Sequence, residues 1–201
     1  MPTVDPIYNK SEIDAIRTAL NNRSRDIDRG YATPQTIIRD NLFFTLAINT
    51  GLRPSDLVTL PADESFWAGD TALVKMQKTN KYTEVGIGKS LRKALNDYWA
   101  AHSEKPQYLF YSTRGLNRID GSHVTVRWAW DFFKKWAERA GVAGKYGGTT
   151  GRRTCATHIY MSTGRIEDAQ TILGHKNPGT TAVYIGVLRR QAIEAQSSLS
   201  L

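Results

Sequence analysis

Residues 149–184 read TTGRRTCATHIYMSTGRIEDAQTILGHKNPGTTAVY, and the rest of the chain is organised around this run. Two glycine stops and one proline start divide it. The pattern predicts a helix over 152–162 ending at Gly164, a second over 166–173 ending at Gly174, and a third that Pro178 permits and that carries Tyr184. His175 then falls in a tight connection near Tyr184. Arginines, an imidazole and a phenol gathered around one pocket suit a phosphate better than a carbonyl. Guanidinium forks match phosphate oxygens bidentately and stay charged at any working pH, an imidazole can move protons, and a phenol can attack as a nucleophile. A further cationic group should come from upstream.

Upstream, Asn9 and Glu12 have capping-box spacing, and Ile13, Ile16, Ala19 and Leu20 predict a first helix from about Lys10 to Leu20. NNRSRDIDRG, residues 21–30, then reads as a loop. Thr33 before Pro34 starts a second helix that Gly51 stops, and Leu52 and Arg53 follow. Pro54, Ser55 and Asp56 begin a short helical turn that would hold Arg53 beside the end of that helix; taken alone, a surface arginine is the plainer reading. TALVKMQ and YTEVGIG alternate as two strands of a hairpin, with Lys78 and Lys81 in the KTNK turn between them. Solvated turn lysines are the plainer reading of that pair. Ser90 opens an amphipathic helix, QYLFYS reads as a short buried strand or extended run, and Ser122 opens a longer helix to about Ala140. Val124, Trp128, Phe132 and Trp136 recur every four residues with Trp130 and Phe133 beside them, a core stripe that leaves Arg127, Lys134 and Lys135 towards solvent or DNA backbone.

The chain has 201 residues, enough for one substantial core. At 40% hydrophobic and 23% charged, it has the composition of a folded protein, which excludes disorder as the starting assumption. Lys and Arg outnumber Asp and Glu by 27 to 19, giving a net charge of +8 and a pI near 9.6, which favours a polyanionic partner. The one cysteine, Cys155, rules out an internal disulfide, and the four histidines show no paired metal spacing. No run approaches the roughly 20 apolar residues of a membrane span, and the amino terminus has no basic-then-apolar leader. The expectation is a cytoplasmic chain with no membrane partner.

In four places, in order, the chain resembles the catalytic domain of tyrosine recombinases, the phage-integrase family, over nearly its whole length. TGLRPSDLVTL is similar to the first arginine box, which makes Arg53 a catalytic arginine and puts Asp56 where a glutamate is commoner. QKTNK occupies the position of the catalytic lysine, with Lys78 preferred over Lys81. RRTCAT resembles the second box, with Arg152 as its catalytic arginine. LGHKNPGTTAVY resembles the third, with His175 and, nine residues on, the nucleophile Tyr184. The resemblance implies an α+β, mainly α, DNA breaking-rejoining fold with a small antiparallel hairpin at one edge.

The resemblance also implies a site-specific recombinase that cuts and rejoins DNA through a 3′-phosphotyrosine link, without cofactor or metal. Its partners would be double-stranded recombination sites, a homo-tetramer on synapsed DNA and DNA-bending host factors. Lys81, Arg127 and Lys176 are candidates for phosphate contacts. Replacing Arg53 or Arg152 by alanine is expected to cripple cleavage and leave the fold. Two departures stand out. Thr149 replaces the histidine that normally precedes the second arginine by three residues, and a threonine cannot act as a base near neutral pH. Larger members also carry a separate DNA-gripping domain before the catalytic one. The expectation here is a single catalytic domain over 1–201, as a compact enzyme or a fragment, with a tail over 186–201 that docks on a neighbouring molecule. Two rivals remain: a DNA-binding accessory protein that has lost catalysis, and a type IB topoisomerase-like relaxing enzyme.

Overall fold

The computed structural model describes residues 4–103, 105–113, 119–175, 179, 181–182 and 196–199. Helix α1 (Lys10–Asn21) begins where its capping box requires, with the Glu12 carboxylate accepting the Asn9 N–H at 3.2 Å, and buries Ile16 and Leu20. The stretch expected to be a loop contains a short helix, α2 (Ser24–Asp28). Its cause is electrostatic and long-range. Arg23 is buried between Asp26 (3.1 Å) and Asp40 (2.8 Å) and stacks on Trp136, while Arg139 reaches Asp26 at 2.6 Å.

Helix α3 (Pro34–Thr50) starts at Thr33, whose hydroxyl accepts the Thr36 N–H, and ends at Gly51 in the left-handed conformation, φ +66°. It packs against α1 and against the helices that follow it, among them two long ones further on in the chain. Being covered on several sides, it buries Leu42, Phe43, Phe44, Leu46 and Ala47 in one run and leaves Gln35 and Asn49, near its two ends, exposed. Helix α4 (Pro54–Leu57) follows after two residues, and a 3-10 turn over Glu64–Trp67 buries Trp67.

Strands β1 (Thr71–Lys75) and β2 (Tyr82–Gly86) pair antiparallel as the expected hairpin, with Lys75 opposite Tyr82 at its closed end. Helix α5 (Lys89–Ala101) packs on α3 and is capped by Gly88 rather than Ser90. A second sheet pairs β3 (Tyr111–Thr113) with β4 (Ile119–His123), so Ser122 lies in a strand and does not open a helix. The helix, α6 (Val126–Arg139), starts instead at Thr125, whose hydroxyl accepts the Trp128 N–H at 3.0 Å and supplies the stronger cap. Phe132, Phe133 and Trp136 are core as expected, whereas Trp130 is 40% exposed.

Helix α7 (Thr150–Thr163) crosses α3 closely at Gly151, where a Cβ would come within 2.8 Å of both Ala47 and Phe133. The amino-terminal segment straps over α7: Ile7 is fully buried, and its N–H donates to the Thr154 hydroxyl at 2.9 Å. Helix α8 (Ile166–Leu173) packs on α7 through a separate small cluster of Ala156, Ala169 and Leu173, flanked by Tyr160 and Ile166. The result is mainly helical with two small antiparallel sheets, the expected class with one more sheet than expected. No described helix is long and apolar enough to cross a membrane.

Candidate active site

Arg53 occupies the cap position of α4 with extended backbone, φ −73° and ψ 154°, fixed by Pro54 after it and by left-handed Gly51 two residues before. Gly51 is needed there twice over. A side chain would be strained at φ +66°, and its Cβ would stand 3.1 Å from Ile172 of α8. The Arg53 guanidinium is half-buried, with Nη1 3.7 Å from the Met76 sulfur. A thioether is a weak acceptor, so this contact orients the guanidinium without neutralising it.

Met76 and Gln77 begin the turn that carries the two lysines, and both are tied to α4. Asp56, 1% exposed, accepts the Gln77 N–H on Oδ1 at 2.8 Å, and the Gln77 amide reaches the Thr59 hydroxyl at 3.4 Å. The turn closes on itself through Met76 N–H to Lys81 O at 2.8 Å. Lys78 and Lys81 are therefore exposed at the end of a hairpin whose root is docked beside Arg53.

Arg152 has a different environment. It is 5% exposed, and its two terminal nitrogens donate to the carbonyls of Gly51 and Leu173, each at 2.5 Å. These carbonyls lie at the carboxyl ends of α3 and α8, where helix dipoles leave partial negative charge. One guanidinium thus ties the residue two before Arg53 to the residue two before His175. Arg152 is consequently a part of the packing as well as a cation, so its removal should cost stability as well as charge.

His175 sits just beyond the left-handed Gly174 that ends α8. Its backbone is held on both sides by Gln170: the His175 N–H donates to the Gln170 carbonyl at 3.2 Å, and the Gln170 amide donates to the His175 carbonyl at 2.9 Å. The ring Nδ1 is 3.1 Å from the hydroxyl of Thr181. Burial first, then the positive charges of Arg152 and Arg53, hold the imidazole below its ordinary pKa of 6.5. The geometric link between box one, box two and the Leu-Gly-His turn is the Arg152 guanidinium, which spans the Gly51 and Leu173 carbonyls.

Thr149 is half-buried at the cap of α7, and its side chain makes no capping hydrogen bond. Arg127 stands on the exposed face of α6, held by Asp131 at 2.6 Å. Tyr184 and Lys176 lie outside the described residues. Among the described residues, no group of three or more His, Cys, Asp or Glu could hold a metal ion. Sequence reasoning missed Met76, Gln77 and Thr181. Of these only Thr181 carried a signal, in the TT pair before the tyrosine.

Two arginines and an imidazole are thereby brought into one cationic region of a mainly helical fold, beside a lysine-bearing hairpin. The chain belongs to the phage integrase family, whose model matches residues 10–190. It is 29% identical over 168 residues to tyrosine recombinase XerA of Pyrococcus furiosus, covering 84% of this chain and 57% of that protein. It is 28% identical over 192 residues to the probable integrase/recombinase YoeC of Bacillus subtilis, covering 93% and 92%. In fold it is similar to XerH site-specific recombinase bound to palindromic difH substrate in a post-cleavage complex, with TM-score 0.71, 20% identity, and 97% of this chain against 53% of that one. The chain thus spans little more than half of XerA and XerH and nearly the whole of YoeC.

Proposed function

We propose that this chain is a site-specific DNA recombinase in which Tyr184 attacks a phosphodiester held by Arg53, Arg152 and His175. The observation that carries this is the Arg152 bridge, from Gly51 beside Arg53 to Leu173 beside His175. Cleavage of a phosphodiester needs cations around the phosphorus and a proton for the departing oxygen. Arg53 and Arg152 neutralise the two non-bridging oxygens, and His175 adds a donor. The Tyr184 hydroxyl gives its proton to water as its oxygen bonds to phosphorus, the bond to the 5′-oxygen breaks, and Lys78 protonates that departing oxygen from its hairpin. The phosphotyrosine keeps the energy of the broken bond, so a 5′-hydroxyl from another strand reverses the step without an external energy source.

The partners of this reading are double-stranded recombination sites, with four protomers around two synapsed duplexes and host factors that bend the DNA. Residues 1–201 act as one catalytic domain, with 186–201 docking on a neighbouring protomer, and the working compartment is the cytoplasm. Lys81 and Lys176 contact phosphates near the scissile step. Arg127 is a weaker candidate for such a contact, because Asp131 already offsets its charge. The experiment is covalent trapping on a nicked suicide substrate. Wild type forms a protein–DNA adduct and Tyr184→Phe forms none; an undiminished adduct in the phenylalanine variant refutes the mechanism.

A second reading has one observation in its favour. Thr149 offers a hydroxyl and no base where the pattern normally has histidine. Sequence-specific DNA binding with no adduct from the wild-type chain would favour an accessory protein that has lost cleavage.

A further inference from the structure

We infer that Thr181 is a positioning residue that sets the tautomer of His175, keeping the ring proton on Nε2 and the lone pair on Nδ1. This rests on the proposed role of His175 as a phosphate donor, but the tautomer itself can be read without any reaction.

The argument is one of hydrogen-bond satisfaction. Thr181 is fully buried, and its hydroxyl lies 3.1 Å from His175 Nδ1, its hydrogen-bond partner among the described residues. A hydroxyl carries a proton that must be placed, and an unplaced buried donor is costly. With a lone pair on Nδ1, the Thr181 O–H donates to it and the pair is satisfied. With a proton on Nδ1, the ring donates to the hydroxyl oxygen, and the hydroxyl proton is left inside the protein without an acceptor among the described residues. The first arrangement therefore wins, and the single ring proton goes to Nε2.

The choice matters because the ring is neutral. Arg152 and Arg53 face it, and their charges together with burial disfavour the imidazolium. A neutral imidazole has one N–H, so it either donates to an anion through Nε2 or presents a lone pair that repels it. The two hydrogen bonds to Gln170 fix the backbone of His175, and the Thr181 hydroxyl fixes the ring. The side chain is thereby committed as a donor before any phosphate arrives, which is the preorganisation an oxyanion site needs.

The test compares wild type with Thr181→Val, which keeps the shape and deletes the hydroxyl, and with Thr181→Ser, which restores it. Imidazole 15N shifts of the full chain at pH 7.5, assigned against His175→Gln, should report protonated Nε2 in wild type and in the serine variant and a mixed population in the valine variant. In covalent trapping, Thr181→Val should lower the cleavage rate by about tenfold, a fraction of the 10²–10³ for losing an oxyanion donor outright, with the DNA concentration for half-maximal rate little changed. That deficit should shrink as pH falls through the His175 pKa, because an imidazolium donates from both nitrogens. A loss that only reflected disturbed packing would not be relieved by acid.

Protonated Nδ1 in wild type overturns the inference, as does a valine variant with the wild-type tautomer and rate. Should the valine variant fail to fold, the wild-type and serine spectra still decide. Should wild type form no adduct at all, the recombinase reading fails, and the spectra decide the tautomer independently.

Discussion

Replacing each of the two arginines by alanine should separate a cation that is only chemical from one that is also structural. Arg152→Ala removes two buried hydrogen bonds from a charged donor, to the Gly51 and Leu173 carbonyls. At about 1.5–3 kcal/mol for each bond to a charged group, the loss is on the order of 3 kcal/mol or more. For a chain of this size, about 1 kcal/mol moves the melting temperature by about 2–4 °C, so the variant should melt roughly 6–12 °C lower. Arg53 is half-buried, and its recorded contact is a thioether at 3.7 Å, so Arg53→Ala should stay within about 0.5 kcal/mol of wild type. Both variants should lose about 10²–10³ in trapping rate. Because α8 rests on its own small cluster with α7, part of the Arg152→Ala loss should appear as local opening rather than global unfolding. Hydrogen exchange of the α8 amides is the decisive assay, with faster exchange in Arg152→Ala and not in Arg53→Ala. Equal melting temperatures and unchanged α8 protection would refute the idea that this guanidinium latches α8 to the end of α3.

Gly151→Ala should destabilise by about 1–3 kcal/mol in urea titration, since its Cβ would press on Ala47 and Phe133 at 2.8 Å where α7 crosses α3. His102 gives a pH dependence. Its Nδ1 bonds the Tyr98 carbonyl and its Nε2 the Tyr111 hydroxyl, and burial, with a smaller effect of Arg39, holds its pKa below 6.5. Above 6.5 the ring is neutral in both states. As pH falls below 6.5 the unfolded chain takes up the proton first, so stability should fall until the lowered folded value is passed. The urea midpoint of His102→Gln should show a shallower decline over that window, and an identical decline would reject the assignment. Thr149→His should leave adduct formation unchanged or raise it, because it places an imidazole three residues before Arg152; a large fall in trapping would mean that the threonine hydroxyl contributes something a ring cannot replace.

What was legible in the sequence were features with a local cause. The capping box at Asn9, the Thr33–Pro34 start, the glycine stops at Gly51, Gly164 and Gly174, and the alternation of the hairpin each depend on neighbours within a few residues, and each is found. Ser122 misled because two hydroxyl residues compete to start α6: the pairing of β4 with β3 holds the chain extended through His123, and Thr125 then takes the cap. Helix α2 was missed because Asp40 and Arg139, far along the chain, hold it in place. The candidate site divides in the same way. Its charged side chains could be named from the sequence, but two of the groups that orient them are backbone carbonyls, which every residue has and no pattern marks. Gly51 O and Leu173 O make Arg152 a joint between two helices as well as a candidate phosphate ligand, and Asp56 and Met76 fix the lysine hairpin to α4 through contacts about twenty residues apart in sequence. A rate lost on mutating Arg152 therefore mixes chemistry with scaffolding, and the same loss at Arg53 does so far less, through a weak contact with the Met76 thioether. Arg53 is the residue at which the proposed phosphate-gripping role can be measured with the least structural disturbance.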